Sequence, residues 1–593
     1  MKRNAFAIGV ALIAISGCAW ICPDRTVRID PAAAVIVAAE RGSVPAAEEL
    51  QANLRAVTGV TVPIVAAEQA GKYPFVVQEK PVRDEKWAWR LDATRAQFRG
   101  VAMWAVLDFL ERALGVRWPD GDRIVAPEQK TLAVDCFEAQ GAIPINIRNI
   151  RIGGVKTEGV HERNAVFQRR MRNGRHDAPE YGHAFTKYWG LYGQEHRDYF
   201  AMRKDGLRGP ARSKPEELMG NIAVYASKGG DVAMCCTSTG LVEQIVANWR
   251  EAGMKPYINL CENDVAGQES CHCSACEALD VVPKDVNPQW ETHYADRYVH
   301  FGNAVLARAQ KERPDVRVAY YAYNATQDAP KREHPAEASV IGLVPTTFTD
   351  KYVADYVSSW SKAGAKHYFY RPNRHHYFNV QYLPVGSEKH FFEIMKALRA
   401  AGTIGFDYDA NSKEGFFQWH QDYVLFRGMA YENETFDEIE GHYLDAFGAA
   451  KGDAQAYFRY WREEVWDRRL EPKLDEITTK GKWFNFARGL MQNLKDYYTL
   501  GDFTRSEKFL AAAEKRTLTS AQAKLVADWR VAHEHAKVFY RTLTDRSKEN
   551  TEKLIAFRRA HGIPLYHWNE QYFGDLTGIE GLLGKESADK GSL

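Results

Sequence analysis

Two pairs of carboxylates in this chain have the spacing that acid–base chemistry needs. Glu262 and Asp264 follow one apolar run that reads as a strand, and Asp407 and Asp409 lie at the end of another. Successive strand residues point to opposite faces, so the two members of each pair share a face wherever the strand continues. Hydrolysis of a glycosidic bond uses one carboxyl group as acid and a second as base or nucleophile.

We predict that Asp264 is the acid or the substrate-orienting carboxylate and that Asp409 lies opposite to it. Glu262 and Asp407 are the second choice. Any one of the four could instead cap the following helix or pair with an arginine.

Three further candidates for chemistry crowd into one short segment, as Cys271, Cys273 and Cys276 in the pattern Cys-x-Cys-x-x-Cys. With Cys261 or His272 as a fourth donor, this spacing predicts a tetrahedral structural zinc site. Disulfides are the alternative in an oxidising compartment, and reduced thiols are the third. In each case the cluster would stiffen the loop that carries the first carboxylate pair. We expect that catalysis itself requires no cofactor.

Two of the other cysteines, Cys235 and Cys236, stand side by side in a run that reads as a strand. Neighbouring strand residues face opposite sides, so at most one of these thiols can point at a given partner.

Four more side chains are candidates for binding a sugar. His183 lies among aromatic residues in a loop, where its imidazole could bond a hydroxyl or carboxylate group. Arg371 follows a strand, and a guanidinium fork matches the carboxylate of an acidic sugar such as a uronic acid. Tyr323 and Trp419 are candidate stacking platforms. The alternatives are a histidine bonded to a backbone carbonyl, a solvated basic loop and two core aromatics.

These residues need a scaffold that brings distant strand ends together, and the alternation of strands and helices predicts one. We expect a small α+β domain over residues 24–140, a (β/α)8 TIM-like barrel over 141–430, an all-helical domain over 431–580 and a flexible tail over 581–593. The carboxyl ends of barrel strands are where barrel enzymes keep their catalytic groups. The candidate barrel strands are 145–152, 232–236, 257–261, 316–323, 340–344, 367–370 and 403–408.

The first residues of the chain predict an export signal. Lys2 and Arg3 precede an apolar run too short to span a bilayer, and Ile-Ser-Gly precedes Cys18. We interpret residues 1–17 as a signal peptide, Cys18 as a lipidation site and 18–23 as the lipidated tether. The protein would then be a cell-envelope lipoprotein, periplasmic or at the outer surface, held to the membrane by its lipid alone. Ordinary secretion with Cys18 as a plain thiol is the alternative.

Composition and missing motifs exclude several classes of protein. The formal net charge of +1 gives no reason to expect nucleic acid. The chain lacks the phosphate-binding, dinucleotide-binding, Gly-x-Ser-x-Gly and His-Glu-x-x-His patterns. NTPase, dinucleotide-dependent, serine-hydrolase and zincin activities are therefore disfavoured.

Motifs spread over residues 30–430 resemble two known groups of proteins. The first set is similar to the small N-terminal domain of α-glucuronidases and hexosaminidases, and the second resembles bacterial DUF4838 proteins. The residues of the first set are Glu49-Leu50-Gln51, Thr58-Gly59 and Leu114-Gly115-Val116-Arg117-Trp118. Those of the second are Gly182-His183-Ala184-Phe185, His196-Arg197-Asp198-Tyr199-Phe200, and Asp264 followed by Cys271-x-Cys273-x-x-Cys276.

The resemblance implies a glycoside-hydrolase architecture and a carbohydrate partner. Together with the carboxylates, it predicts an enzyme that hydrolyses a glycosidic bond in a polysaccharide or oligosaccharide, with acidic glycans as candidates. A non-catalytic glycan-binding envelope lipoprotein and a purely structural lipoprotein are the alternatives. Fold analogy alone does not choose between them.

Overall fold

The computed structural model describes residues 26–80, 85–135, 137–145, 147–151, 159–175, 179–210, 232–263, 270–281, 294–345, 350–372, 382–408, 415–480, 486–545 and 547–563. They form two compact units. One comprises the chain up to residue 116 together with 126–142, and the other comprises 117–125 together with the chain from 143 onwards. The four domain boundaries predicted above stay predictions.

The first unit is a mixed α+β structure. Its main sheet has the order β3-β2-β4-β6-β5-β8, in which β5 alone runs antiparallel to its neighbours. A separate antiparallel pair joins β1 to β7. The strands are β1 (Thr26–Ile29), β2 (Ala34–Val37), β3 (Ile64–Val65), β4 (Tyr73–Val77), β5 (Trp87–Leu91), β6 (Ala96–Gly100), β7 (Leu132–Asp135) and β8 (Phe137–Gly141), and the helices are α1 (Val44–Thr58) and α2 (Ala102–Ala113).

Aromatic packing joins α2 to this sheet. The Phe109 ring lies edge-on to Trp89 and Phe98, with centroids 5.3 Å away in both cases. Asp108, on the same helix, accepts a hydrogen bond of 2.7 Å from the Trp89 indole. The buried indole nitrogen therefore keeps a partner, which removes the cost of burying it.

The second unit contains a seven-stranded sheet with the order β10-β9-β15-β14-β13-β12-β11. All its pairs are parallel except β9 with β10. The sheet's first strand in chain order, β9, pairs with its last one, β15. Its strands are β9 (Ile147–Ile150), β10 (Gly174–Arg175), β11 (Tyr257–Asn259), β12 (Arg317–Ala322), β13 (Ser339–Leu343), β14 (His367–Tyr370) and β15 (Thr403–Tyr408).

Helices connect these strands and continue after the last of them. None of the described helices is long and apolar enough to cross a membrane. The α-helices are α3 (Val160–Arg170), α4 (Tyr188–Tyr192), α5 (Thr239–Glu251), α6 (Ser274–Glu277), α7 (Ala295–Ala309), α8 (Asp350–Lys362), α9 (Glu388–Ala400), α10 (Phe416–Ala430), α11 (Phe436–Leu444), α12 (Lys451–Tyr460), α13 (Leu474–Lys480), α14 (Phe486–Gln492), α15 (Leu494–Tyr497), α16 (Leu500–Ala513), α17 (Ser520–Thr544) and α18 (Lys548–Ala560). A π-helical stretch spans Trp461–Leu470, and 3-10 turns span Pro31–Ala33, Arg41–Ser43, Arg197–Tyr199, Asn324–Thr326, Asp445–Ala450 and Glu471–Lys473.

Capping explains where three of the later helices begin. Each is preceded by a threonine whose amide donates to the side chain at N3. At Thr435 and Thr519 the hydroxyl also accepts the N3 amide hydrogen, whereas the Thr499 hydroxyl donates to the Asp502 carboxylate. The reciprocal pattern at Thr435 and Thr519 satisfies two amide groups that a helix start otherwise leaves without a partner. The pairs are Thr435 with Glu438, Thr499 with Asp502 and Thr519 with Gln522.

The mixed α/β fold with a parallel sheet is confirmed, and six of the seven candidate strands pair in that sheet. The strand at 232–236 is wrong. Its backbone pairs instead with the extended chain before it, through the Ala201 amide to Ala233 and the Cys235 amide to Tyr199. Only an isolated antiparallel bridge, Phe200 with Met234, results.

One face of the sheet carries an apolar layer to which most of the strands contribute. Alternate residues of β12, Ala319 and Tyr321, point into it together with Phe369 from β14. Gly342 of β13 lies between two of these rings. A Cβ atom at this position would lie 2.4 Å from Phe369 and 2.7 Å from Tyr321. The absence of a side chain there lets the aromatic rings approach each other.

Replacing Gly342 with alanine is therefore expected to overpack this layer. The free energy of unfolding should fall by about 1–3 kcal/mol, measured as an earlier midpoint of urea denaturation. Gly441→Ala in α11 is the matched control, because a Cβ there meets nothing within 4 Å and alanine is the better helix former. An unchanged midpoint for Gly342→Ala would contradict this account of the packing.

Candidate active site

Charged and aromatic side chains gather at the carboxyl edge of the parallel sheet. Because the strands run in one direction, the residues at their carboxyl ends share one edge, the position where open and closed α/β sheets bind ligands. These residues are Arg151 after β9, Glu262 after β11, Tyr323 after β12, Arg371 after β14 and Asp407 near the end of β15.

Asp407 is fully buried and is held by the neighbouring strand. Its register partner Asn149 donates a side-chain hydrogen bond to Oδ1. Arg151 donates to Oδ2 from Nε at 2.9 Å and from Nη2 at 2.7 Å. The Arg151 guanidinium also lies over the Tyr181 ring, 5.4 Å from its centroid. Because protein donors take up both carboxylate oxygens, Asp407 serves to hold Arg151 at the edge.

Glu262 is buried as well, and its donors come from three segments. Oε1 accepts the Asn263 amide at 2.8 Å, and Oε2 accepts the Met234 amide at 3.0 Å and the Tyr298 hydroxyl at 2.9 Å. Burial raises the pKa of the Glu262 carboxyl above its ordinary value, while these hydrogen bonds and the nearby His183 oppose the shift. With Tyr298, Tyr321 and Tyr323, this carboxyl group lines a small cavity.

His183 is exposed and lies against the end of β11. Its Nδ1 is 2.7 Å from the carbonyl oxygen of Glu262, and the next residue, Ala184, donates its amide to the Cys261 carbonyl at 2.8 Å. With Nδ1–H as the donor, Nε2 carries the lone pair of the imidazole. The structure therefore supplies the backbone contact considered above as the alternative, and it also holds this ring beside the Glu262 strand end.

Arg371 and Tyr323 flank Tyr321, on the sheet's apolar layer. The Arg371 guanidinium lies 5.2 Å from the centroid of the Tyr321 ring, and this arginine is 8% exposed. Tyr323 is half-buried, 6.5 Å from Tyr321 in an edge-on arrangement. Burial, followed by the Cys261 thiol, raises the pKa of Tyr321, and Arg371 and Arg151 oppose the shift. Arg371 thus lies over Tyr321, and Arg151 lies over the neighbouring Tyr181, whose ring centroid is 6.5 Å from that of Tyr321.

Two of the site predictions require correction. Trp419 lies in α10 with 8% exposure, packed at 4.8 Å against Phe167. A stacking platform must present its face to a ligand, so Trp419 is a core residue. Cys261 is also a core residue, under Tyr321 and beside Ala319, and burial raises the pKa of its thiol to about 12. It is not part of the cysteine cluster.

The fourth thiol of that cluster is Cys235. Its sulfur and those of Cys271, Cys273 and Cys276 all lie within 4.8 Å of one another. The other candidate donor, His272, has its Nδ1 3.3 Å from the Glu277 carboxylate. Among the described residues, these four cysteines form a group that could hold a metal ion.

Asp264 and Asp409 lie outside the described residues, as does Cys18. Each of the two aspartates comes two positions after a carboxylate that the structure describes, Glu262 and Asp407. Their roles stay predictions.

A protein-family model described as "Domain of unknown function (DUF4838)" matches residues 118–460. The chain belongs to the DUF4838 family. The family match confirms the resemblance found in the sequence motifs, and it covers the whole parallel sheet. A comparison with curated proteins finds no match.

Several solved glycoside hydrolases match part of this DUF4838 protein. A Streptomyces plicatus N-acetyl-beta-hexosaminidase in complex with Thio-NAglucal is 12% identical, with 71% of this chain and 92% of that chain covered and a TM-score of 0.39. A Bacteroides fragilis beta-N-acetylhexosaminidase is 9% identical, with 74% of this chain and 93% of that chain covered and a TM-score of 0.39. A family 89 glycoside hydrolase from Clostridium perfringens, in complex with 2-acetamido-1,2-dideoxynojirmycin, is 9% identical. The match covers 87% of this chain and 65% of that chain, with a TM-score of 0.45.

Sequence reasoning missed Arg151, Tyr298 and the amide of Met234. Arg151 had a usable signal, because it directly follows the first strand of the predicted barrel. Tyr298 lies inside the helical pattern of α7, where it resembles an ordinary core residue, and a backbone amide leaves no mark in the sequence.

The Arg151–Asp407 pair gives a direct test of this geometry. Asp407→Asn should lower the free energy of unfolding by about 1–3 kcal/mol, because it leaves the partly exposed guanidinium without its carboxylate. Adding Arg151→Met should recover part of the loss in urea denaturation, as coupled partners do. Glu180→Gln removes a surface ion pair with Lys255 and should leave the midpoint almost unchanged. A stable Asp407→Asn variant would show that the pair does not form.

Proposed function

We propose that this edge binds a glycan and hydrolyses a glycosidic bond, with Asp264 and Asp409 as the reacting carboxylates. The observation that carries the proposal is the gathering of Glu262, Asp407 and Arg151, with aromatic rings, at the carboxyl ends of the parallel strands. Buried charges of this kind are costly, and they concentrate where a protein performs chemistry or binds a charged ligand.

The two described carboxylates would act as anchors. Protein donors occupy both oxygens of Glu262 and both oxygens of Asp407. Asp264 and Asp409 each follow an anchored carboxylate by two positions, the spacing that keeps two side chains on one face of an extended chain. The anchored pair would therefore fix the strand ends, and the outer pair would meet the substrate.

In this mechanism one outer carboxyl group donates its proton to the leaving glycosidic oxygen as the bond to the anomeric carbon breaks. The other carboxylate either attacks that carbon, forming a glycosyl ester that water then cleaves with the first group acting as base, or removes a proton from a water molecule that attacks the carbon directly. His183, held at the end of β11, would bond a sugar hydroxyl group. All these steps use groups of this chain and need no metal ion or organic cofactor.

The positive charges suggest the class of glycan. Arg151 and Arg371 lie over the adjacent rings of Tyr181 and Tyr321, and a guanidinium pairs well with a sugar carboxylate. An acidic polysaccharide or oligosaccharide is therefore the substrate we favour.

The remaining parts of the proposal concern the scaffold and the location of the protein. The pairing of the first strand with the last supports a sheet that closes as a (β/α)8 barrel, with the late helices as a separate domain. A lipid on Cys18 would hold the protein in the cell envelope, where extracellular glycans can reach it.

Because protein donors already bond both oxygens of Glu262 and of Asp407, the site also favours a second candidate, a glycan-binding lipoprotein without catalysis. In that case the arginine and tyrosine side chains would hold the sugar, and no carboxyl group would be placed to transfer a proton. The two candidates differ in what they predict for the Asp264 side chain.

The test is a screen of aryl glycosides and acidic glycans with wild type, Asp264→Asn and Asp409→Asn. Hydrolysis by wild type should fall by about 10²–10⁴-fold in each variant, because an amide cannot transfer the proton. Asp315→Asn, which removes an exposed carboxylate paired with Arg313, should retain full activity. Glycan binding without hydrolysis by wild type would favour the second candidate, and full activity of Asp264→Asn would overturn the assigned roles.

A further inference from the structure

Two segments distant in sequence bring four cysteine thiols together. Cys235 precedes α5, Cys271 and Cys273 precede α6, and Cys276 lies within α6. The Cys235 sulfur is 3.8 Å from the sulfurs of both Cys273 and Cys276. Cys273 is half-buried, and the other three are at most 3% exposed.

These separations match the edges of a metal–thiolate tetrahedron. Zinc binds sulfur at about 2.3 Å, so two thiolates of a tetrahedral site lie about 3.8 Å apart. A disulfide would bring two of the sulfurs to about 2.05 Å and leave the remaining thiols without a common partner. Four mutually adjacent thiols also suit zinc better than calcium or magnesium, which prefer oxygen ligands.

The surroundings supply donors and positive charge to the sulfurs. The Met202 amide donates to the Cys271 sulfur at 3.3 Å, and the Thr237 hydroxyl lies 3.3 Å from the Cys276 sulfur. Arg297 donates to the Cys271 carbonyl at 2.7 Å. Zinc with four thiolates carries a net charge of −2, which these donors and the nearby Arg297 guanidinium, itself paired with Asp280, would help to offset.

We propose that Cys235, Cys271, Cys273 and Cys276 bind one Zn²⁺ ion as a closed structural site. Binding replaces the thiol protons, which pass to solvent, and involves no oxidation. Since four protein ligands fill the tetrahedron, no position is left for a catalytic water.

The site would also hold the donors of Glu262. Met234, whose amide donates to the Glu262 carboxylate, is the direct neighbour of Cys235. On α7, Arg297 bonds the Cys271 carbonyl and the adjacent Tyr298 bonds Glu262. The metal would thus fix two of the three segments that satisfy this carboxylate. This consequence for activity rests on the proposed function, whereas the metal site itself does not.

The direct test is metal analysis of the full chain purified without chelator or reductant. We expect about one zinc per chain, release of that zinc by a mercurial reagent that titrates four thiols, and a lower melting temperature after chelation. Cobalt substitution should give the intense thiolate-to-metal charge-transfer bands of a tetrathiolate site.

Matched variants test the ligand set. Cys235→Ser should lose zinc, whereas Cys236→Ala, which changes the neighbouring buried thiol, and His272→Ala should both keep it. If Cys235→Ser fails to fold, the mercurial titration of wild type still decides the stoichiometry.

Several outcomes would overturn the proposal. Metal-free protein whose thiols resist alkylation until reduced would establish disulfides, and metal-free protein with readily alkylated thiols would establish reduced cysteines. Zinc retained in Cys235→Ser or lost in His272→Ala would refute the ligand set. Zinc-loaded wild type without glycosidase activity would contradict the proposed function and leave the metal site intact.

Discussion

Burial of the Glu262 carboxyl group is the constraint on which the candidate site depends. A carboxyl group removed from water is tolerated only when donors replace its hydration. Here the donors are its own neighbour Asn263, the Met234 amide and the Tyr298 hydroxyl. The Met234 and Tyr298 segments, which are distant in sequence, therefore have to pack against the end of β11. Their contacts with Glu262 form one side of the candidate site at the carboxyl edge of the sheet.

The other side of the edge repeats this arrangement with different chemistry. Asp407 is satisfied by Asn149 and Arg151 of the adjacent strand, so a local strand pairing is enough. At Glu262 the donors come from irregular chain and from α7. A metal bound by the cysteine cluster would hold these segments in place, which strand pairing does not do there. Both sides thus hold a carboxylate at a strand end.

The sequence predicts the sheet well because its signals are local. The run 316–323 becomes β12 at Arg317–Ala322, and the run 403–408 becomes β15 without change. Trp419 could not be judged in this way, because α10 is buried on nearly every face and shows no polar stripe. Cys261 is near the cysteine cluster in sequence, yet its side chain, just after β11, packs in the apolar core of the sheet. Cys235 lies 36 residues before Cys271, and only the folded chain brings them together.

In the proposed site the two anchored carboxylates, Glu262 and Asp407, would place Asp264 and Asp409 across one substrate. The most direct measurement is the separation of their carboxyl groups in a crystal structure of the full chain. We expect both groups at the carboxyl edge of the sheet, about 5–5.5 Å apart for retention of configuration or about 6.5–9.5 Å for inversion. Carboxyl groups on opposite faces of the sheet would contradict the proposal.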